Sequence, residues 1–182
     1  MNVGKRFEKN FKDSIPDFCL IHRLKDPPQA QNHTDTSVFS WNNPCDFFMF
    51  DSYNKEFWCF ELKSTKQKYI SFESINSNNS QKKMIKKHQI LGLKEYGRFN
   101  HVNAGFLINF RDEENDNERT YYQDIYDFLD MYNKINKSSF NEIDLIMNKA
   151  IKVNGEKLRV NYRWNIPKLI ADVMEKNKKA YR

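Results

Sequence analysis

The chain has 182 residues, enough for one domain with its own core, and its 15 Phe, 9 Tyr and 3 Trp supply the apolar body that a disordered segment lacks. Its 30 Lys and Arg against 24 Asp and Glu leave a formal charge of +6, a balance that favours polyanionic partners once it gathers around a site. Three cysteines without paired ligand spacing exclude a disulfide framework or zinc ribbon, and neither a charged start nor any run near the ~18 apolar residues of a span suggests a membrane, so the expectation is a soluble, cytoplasmic protein.

Phe7 and Phe11 stand one turn apart among charged residues, which predicts a helix over residues 3–13 that Pro16 stops. A strand is expected over residues 17–24. Residues 25–43, with Pro27, Pro28 and many Asn, Gln, Ser and Thr, read as a long irregular connection, of a length uncommon without a task. Two aromatic-rich runs at 45–50 and 56–63 flank the turn composition Asp51-Ser52-Tyr53-Asn54-Lys55 and predict a hairpin of strands buried on both faces.

Residues 81–96 place Met84, Ile85, His88, Leu91 and Tyr96 on a helical stripe closed by Gly97. A buried strand is expected over 102–110, then an acidic loop over 111–119 without calcium-loop spacing, then a returning strand over 120–125. Helices are expected over 125–132 and 139–146, the second capped by Ser139 with Glu142 as its third residue. A short hairpin around Asn154-Gly155 and a helix after Pro167 complete the pattern. This order predicts a single α/β domain over residues 1–182, a mixed β-sheet flanked by helices, with no internal repeat.

Charges inside the apolar hairpin need a reason, because burying them is costly. Residues i and i+2 of a strand share a face, so Glu61 and Lys63 stand side by side while Phe60 and Leu62 pack on the other side. Asp46 begins the neighbouring strand, where its carboxylate reaches Glu61 if the register allows. Two such carboxylates repel unless a cation sits between them, and all-oxygen ligation suits Mg²⁺ or Mn²⁺. Phosphodiester hydrolysis needs an activated water and stabilisation of added negative charge, which a metal and an ammonium supply together.

The residues around this constellation form an ordered series. It runs N-x-G-x-x-F-E over 2–8, P-C-D over 44–46, E-L-K-S over 61–64, His88-Gln89, and A-G-F-L-I-N-F over 104–110. Lys137-Ser138-Ser139-Phe140 and Arg159-Val160-Asn161-Tyr162 close it. The series resembles RecU-type Holliday junction resolvases, members of the PD-(D/E)XK nuclease superfamily, over nearly the whole chain. The resemblance implies a restriction-endonuclease-like fold, a homodimer, Mg²⁺ dependence and symmetric nicking of four-way DNA junctions. Matched by position, it implies Asp46 and Glu61 as metal-binding carboxylates and Gln89 as a further group at the metal. Lys63 would stabilise the transition state, and Glu8 would be the acidic residue beside the site.

Two departures stand out. Pro44 occupies the position where the family commonly has a metal-contacting Thr, and the interval 25–43 is too short for the family's full projecting stalk, so a shortened stalk of a compact, phage-type variant is expected. Lys66, Lys68 and Lys86 flank the site as candidate phosphate contacts, which position DNA without reading its sequence. The lysine runs at 82–87 and 176–182 read as solvated faces; Tyr69 and Phe72 read as core rings, with stacking on exposed bases at a junction as the alternative, and Tyr162 and Trp164 as core rings. The competing functions are a duplex-cutting restriction or repair nuclease of the same fold, and a non-catalytic DNA-binding recombination protein.

Overall fold

A computed structural model describes residues 3–25, 43–76, 82–112 and 117–180. The irregular connection or shortened stalk expected at 25–43 falls almost wholly outside these residues, as does the middle of the acidic loop, 113–116.

In chain order, helix α1 (Val3–Lys12) is followed by strands β1 (Cys19–Arg23), β2 (Phe47–Asp51), β3 (Glu56–Thr65) and β4 (Tyr69–Ser71). Then come α2 (Lys87–Gly97), β5 (Val102–Asp112), β6 (Asn117–Asp124), α3 (Ile125–Lys134), β7 (Ser139–Asn141) and α4 (Glu142–Met147). Strands β8 (Ile151–Val153), β9 (Gly155–Lys157) and β10 (Tyr162–Trp164) lead into α5 (Ile166–Ala180).

Six strands form one mixed sheet in the order β1-β2-β3-β5-β6-β8. β3 and β5 run parallel at its centre and all other neighbours pair antiparallel. A strand buried on both faces must be apolar at nearly every position, which is why Trp58-Cys59-Phe60 reads as an unbroken run. All three residues are fully buried. One core lies between the sheet and helices α2, α3 and α4, around Cys59, Ile90, Phe106, Ile108 and Phe128. The other lies under α1 and α5, where Phe11 meets Phe47 and Phe60 with ring centroids 5.5 and 5.2 Å away. The protein is thus an α/β fold with a mixed sheet flanked by helices, and among the described residues no helix is long and apolar enough to cross a membrane.

Several local expectations are corrected. The helix expected from residue 81 starts at Lys87, because Ile85 is held in a bridge to Phe72 and its N–H donates to the Ser71 carbonyl at 2.9 Å. That start resets the phase, so Ile90 and Leu93 are the buried residues and Leu91 is exposed. Gly97 ends the helix without a left-handed cap; a Cβ there would lie 2.9 Å from the Ile125 side chain, so close approach of α3 selects the glycine.

Ser139 is not a helix cap. Phe140 is buried opposite Ile70, which keeps Ser139–Asn141 extended as β7 against β4. The cap is Asn141, whose side chain accepts from the Asp144 N–H at 2.9 Å while Asp144 accepts from the Asn141 N–H at 2.9 Å. Asn154-Gly155 is likewise not a hairpin turn. It carries the chain from β8, paired with β6, to β9, paired with β10, and the reversal follows at Leu158, whose N–H donates to the Asn161 carbonyl at 2.8 Å. Of the four rings expected in the core, Phe72 and Trp164 are buried, Tyr162 is half-buried and Tyr69 is 56% exposed.

Candidate active site

The site grows out of the open end of the β2–β3 hairpin. Antiparallel pairing of Phe47 with Phe60 sets the register, and one residue further the Asp46 N–H donates to the Phe60 carbonyl at 3.0 Å. The Leu24 N–H donates to the Asp46 carbonyl at 2.9 Å, so the backbone of Asp46 is pinned between β1 and β3. The same register sets Asp46 across from Glu61. Pleat alternation sends Phe60 and Leu62 toward α1 and α5, and turns Glu61 and Lys63 toward α2.

Each charged group has defined partners. Asp46 Oδ2 accepts from the Leu62 N–H at 2.7 Å. Glu61 is 2% exposed, and its Oε1 accepts from Lys63 Nζ at 2.8 Å and from Gln89 Nε2 in a very short hydrogen bond. Asp46 Oδ1 and Glu61 Oε2 accept no hydrogen bond among the described residues.

The electrostatics follow. Burial pushes the Asp46 carboxyl above its ordinary value, with the Leu62 N–H and the Lys63 charge pulling the other way. Burial raises Glu61 to about 7, against the pull of Lys63 and with the Asp46 charge adding to the rise. Desolvation is the leading cause for both. Two adjacent, desolvated carboxylates that each retain an uncommitted oxygen form a place where positive charge is stabilising.

Gln89 reaches the site because α2 is anchored on both sides of it. At its start the Gln89 side-chain oxygen accepts from the Lys86 N–H at 2.9 Å, while Glu73 accepts from the Lys87 N–H at 2.8 Å and from Lys86 Nζ at 2.9 Å. The helix cap and the Glu61 carboxylate therefore fix the amide the same way round: oxygen to the backbone, nitrogen to Glu61. One turn on, a Cβ at Gly92 would lie 2.8 Å from the Cα and the carbonyl oxygen of Pro44. Only glycine lets α2 sit this close to the segment that carries Asp46.

The other expected residues are placed as follows. Glu8 lies on α1 and accepts from Arg23 Nε at 2.7 Å; its charge bears on Asp46 and Glu61 but no hydrogen bond joins it to them. Lys86 is paired with Glu73. Lys66 and Lys68 are exposed just past β3. His88 is exposed at the first turn of α2. Cys19, Cys45 and Cys59 are buried free thiols.

Three contributors have no counterpart in the sequence reading: Arg23, Glu73 and Gly92. Gly92 had a signal, since a glycine inside a helical pattern costs about 1 kcal/mol against alanine and needs a packing reason. Arg23 and Glu73 had none, because their partners are 13 to 15 residues away and defined only by the fold.

A divalent cation fits the donor set. Among the described residues no group of three or more His, Cys, Asp or Glu is arranged to hold a metal. Two carboxylates are nevertheless what Mg²⁺ commonly takes from a protein, with water and substrate phosphate oxygens completing the shell.

Fold and site together define an α/β protein whose central sheet holds an Asp–Glu–Lys cluster at one strand end, with Glu61 buried and Asp46 and Lys63 half-buried. No family model matches the chain. It belongs to the family of the SPbeta prophage-derived uncharacterized protein YotM of Bacillus subtilis (strain 168), to which it is 32% identical over 188 aligned positions, covering 96% of this chain and 88% of that protein.

Proposed function

We propose that the protein is a divalent-metal-dependent DNA endonuclease, and that its substrate is branched DNA of the four-way junction class, cut by a homodimer. The observation that carries this reading is the desolvated Asp46–Glu61 pair with Lys63 bonded beside it. Buried carboxylates with uncommitted oxygens are destabilising in the free protein, and such a cost is retained where chemistry uses it. The resemblance of the ordered motifs to RecU-type resolvases supplies the junction and the dimer. The basic balance of the chain suits a polyanionic substrate.

In this reading Asp46 and Glu61 would hold the cation, which when bound would polarise the scissile phosphate and lower the pKa of a neighbouring water. Lys63 is oriented by its bond to Glu61 and keeps further N–H donors for the phosphate oxygens, where charge grows as the water oxygen attacks phosphorus and the P–O bond to the leaving group breaks. Gln89 is a positioning residue. Its donated hydrogen bond holds Glu61 Oε1, leaving Oε2 turned away from the helix cap.

The test is cleavage of an end-labelled four-way junction beside a linear duplex of the same sequence, with Mg²⁺ or EDTA, and with Asp46→Asn as the control. Paired symmetric nicks confined to the junction, lost in EDTA and in Asp46→Asn, are expected. Equal cutting of the duplex would remove the junction specificity and leave the nuclease. No cutting of either DNA would remove the enzyme and favour a DNA-binding role.

A further inference from the structure

A cleft of about 630 Å³ opens past the C-terminal end of β3, within the range that nucleotide-sized ligands fill. Lys66, Lys68, Arg111 and Arg119 line it, against Asp112 and Glu142. Glu142 is already compensated: it accepts from Arg119 Nε at 2.9 and 3.0 Å and from the Tyr121 hydroxyl at 2.6 Å. Both Arg119 bonds use Nε, and its terminal NH₂ groups make no hydrogen bond among the described residues. Among the described lining residues, four cations stand against two carboxylates.

Its wall holds a ring that the core did not take. The pairing of β4 with β7 puts Ile70 into the core opposite Phe140 and turns Tyr69, opposite Asn141, outward. Tyr69 is 56% exposed, and its hydroxyl makes no hydrogen bond among the described residues. The turn that brings it there is itself built, since the buried Thr65 hydroxyl accepts from the Gln67 N–H at 2.9 Å. Lys68, which precedes Tyr69, makes no ion pair among the described residues. An exposed aromatic face between cations is the arrangement that binds single strands: rings stack on bases and ammonium groups follow the phosphates.

We infer that this cleft binds an unpaired DNA segment, with a base stacked on Tyr69 and the flanking phosphates on Lys66, Lys68 and Arg119. The inference rests on the nuclease reading and deepens it. From Lys63 to Lys66 the chain advances about 10 Å, so an unpaired nucleotide in the cleft lies close to the bond presented to Asp46 and Glu61. A duplex keeps its base faces stacked and offers Tyr69 nothing. The enzyme then selects DNA carrying unpaired nucleotides beside the scissile bond, as at a frayed branch, flap or mismatch.

The experiment measures binding of a fluorescent oligodeoxythymidine by anisotropy, in EDTA, using the full chain at several salt concentrations. Tyr69→Ala is expected to weaken binding about 5- to 150-fold, and Tyr69→Phe to keep it within about twofold because the ring remains. Lys66→Ala and Lys68→Ala should each reduce the slope of log K against log salt by about 0.7. Unchanged binding by Tyr69→Ala, or equal competition by a blunt duplex, overturns the inference. All four variants change exposed side chains, so folding does not confound them. Loss of cleavage in Asp46→Asn with unaltered Tyr69→Ala binding sinks the cleft alone. Tyr69-dependent binding by a protein that cleaves nothing leaves the nucleotide site and removes the nuclease.

Discussion

The two ends of one hairpin hold two carboxylate pairs, built to opposite specifications. At the turn end, Asp51 stands in register with Glu56. Asp51 Oδ1 accepts from the Tyr53 and Asn54 N–H groups and Oδ2 from the Asn54 side chain, while Glu56 Oε1 meets His101 Nδ1 at 3.0 Å and Oε2 accepts from Asn103 at 2.9 Å. At the open end, Asp46 and Glu61 each keep an uncommitted oxygen, and burial raises both pKa values. Burial alone therefore does not mark a chemical site. The supply of donors does, because a carboxylate with every lone-pair direction met is structural, and one left short of donors awaits a cation or a proton.

The largest expected effect separates the ends by activity. Lys63→Ala should lower cleavage by about 10²- to 10³-fold, as the loss of one preorganised charge-stabilising group does, with the fold intact by circular dichroism. Glu56→Leu should do the reverse. It strips the buried Asn103 amide of its acceptor, so urea unfolding should show a loss of about 1–3 kcal/mol while cleavage stays within about threefold. Comparable loss of cleavage in both variants would dissolve the distinction.

Stability against pH sharpens it further. Glu61 binds its proton up to about pH 7 in the folded chain, against an ordinary 4.5 when unfolded. The folded state holds the extra proton between these values, so its contribution is full below about pH 4.5 and is lost as pH rises through 7, a fall of about 3 kcal/mol. Asp46 acts in the same direction. Denaturation in EDTA at pH 5 and pH 8 should show the decline, Glu61→Gln should flatten it, and Mg²⁺ should restore stability more at pH 8 than at pH 5. A metal-free protein more stable at pH 8 would contradict the assigned burial of Glu61.

Much of the site was legible because a strand buried on both faces leaves few alternatives. Glu61 and Lys63 interrupt an apolar run, and their shared face follows from the pleat. Asp46 was legible as a strand start, but its register with Glu61 was not, since it is set by Asp51 pairing with Glu56 at the turn end, one residue into the segment read as turn. What composition did not distinguish was this pair from Asp51 and Glu56, since the donors that satisfy Glu56 come from His101 and Asn103, on and just before β5. The start of α2 was misplaced for a similar reason. Its phase depends on the bridge from Ile85 to Phe72, a pairing that helical periodicity does not encode. Gln89 entered through the motif series alone, and its orientation through the cap it forms with Lys86.

Two glycines of α2 test how tightly the helix is held to the open end. Gly92→Ala should destabilise by about 1–3 kcal/mol and reduce cleavage, because its Cβ meets the Pro44 backbone, which cannot yield without moving Asp46. Gly97→Ala should also destabilise, because its Cβ meets the branch methyl of the buried Ile125, but it should leave cleavage near the parent level, since that clash touches no segment carrying a site residue.

A substitution at Gln89 distinguishes positioning from ligation. Gln89→Leu removes the donor to Glu61 and the acceptor for the Lys86 N–H together, at a cost of about 1 kcal/mol in stability. Cleavage should fall roughly tenfold, less than for Lys63→Ala, because Glu61 remains with its Lys63 bond. The informative readout is the pH–rate profile. Loss of a hydrogen bond donated to the carboxylate disfavours its charged form, so the acidic limb should move to higher pH while the apparent Mg²⁺ affinity at pH 9 stays unchanged. A large loss of Mg²⁺ affinity at pH 9 with an unmoved acidic limb would instead make Gln89 a metal ligand, and would require its amide to turn away from the helix cap when the cation binds.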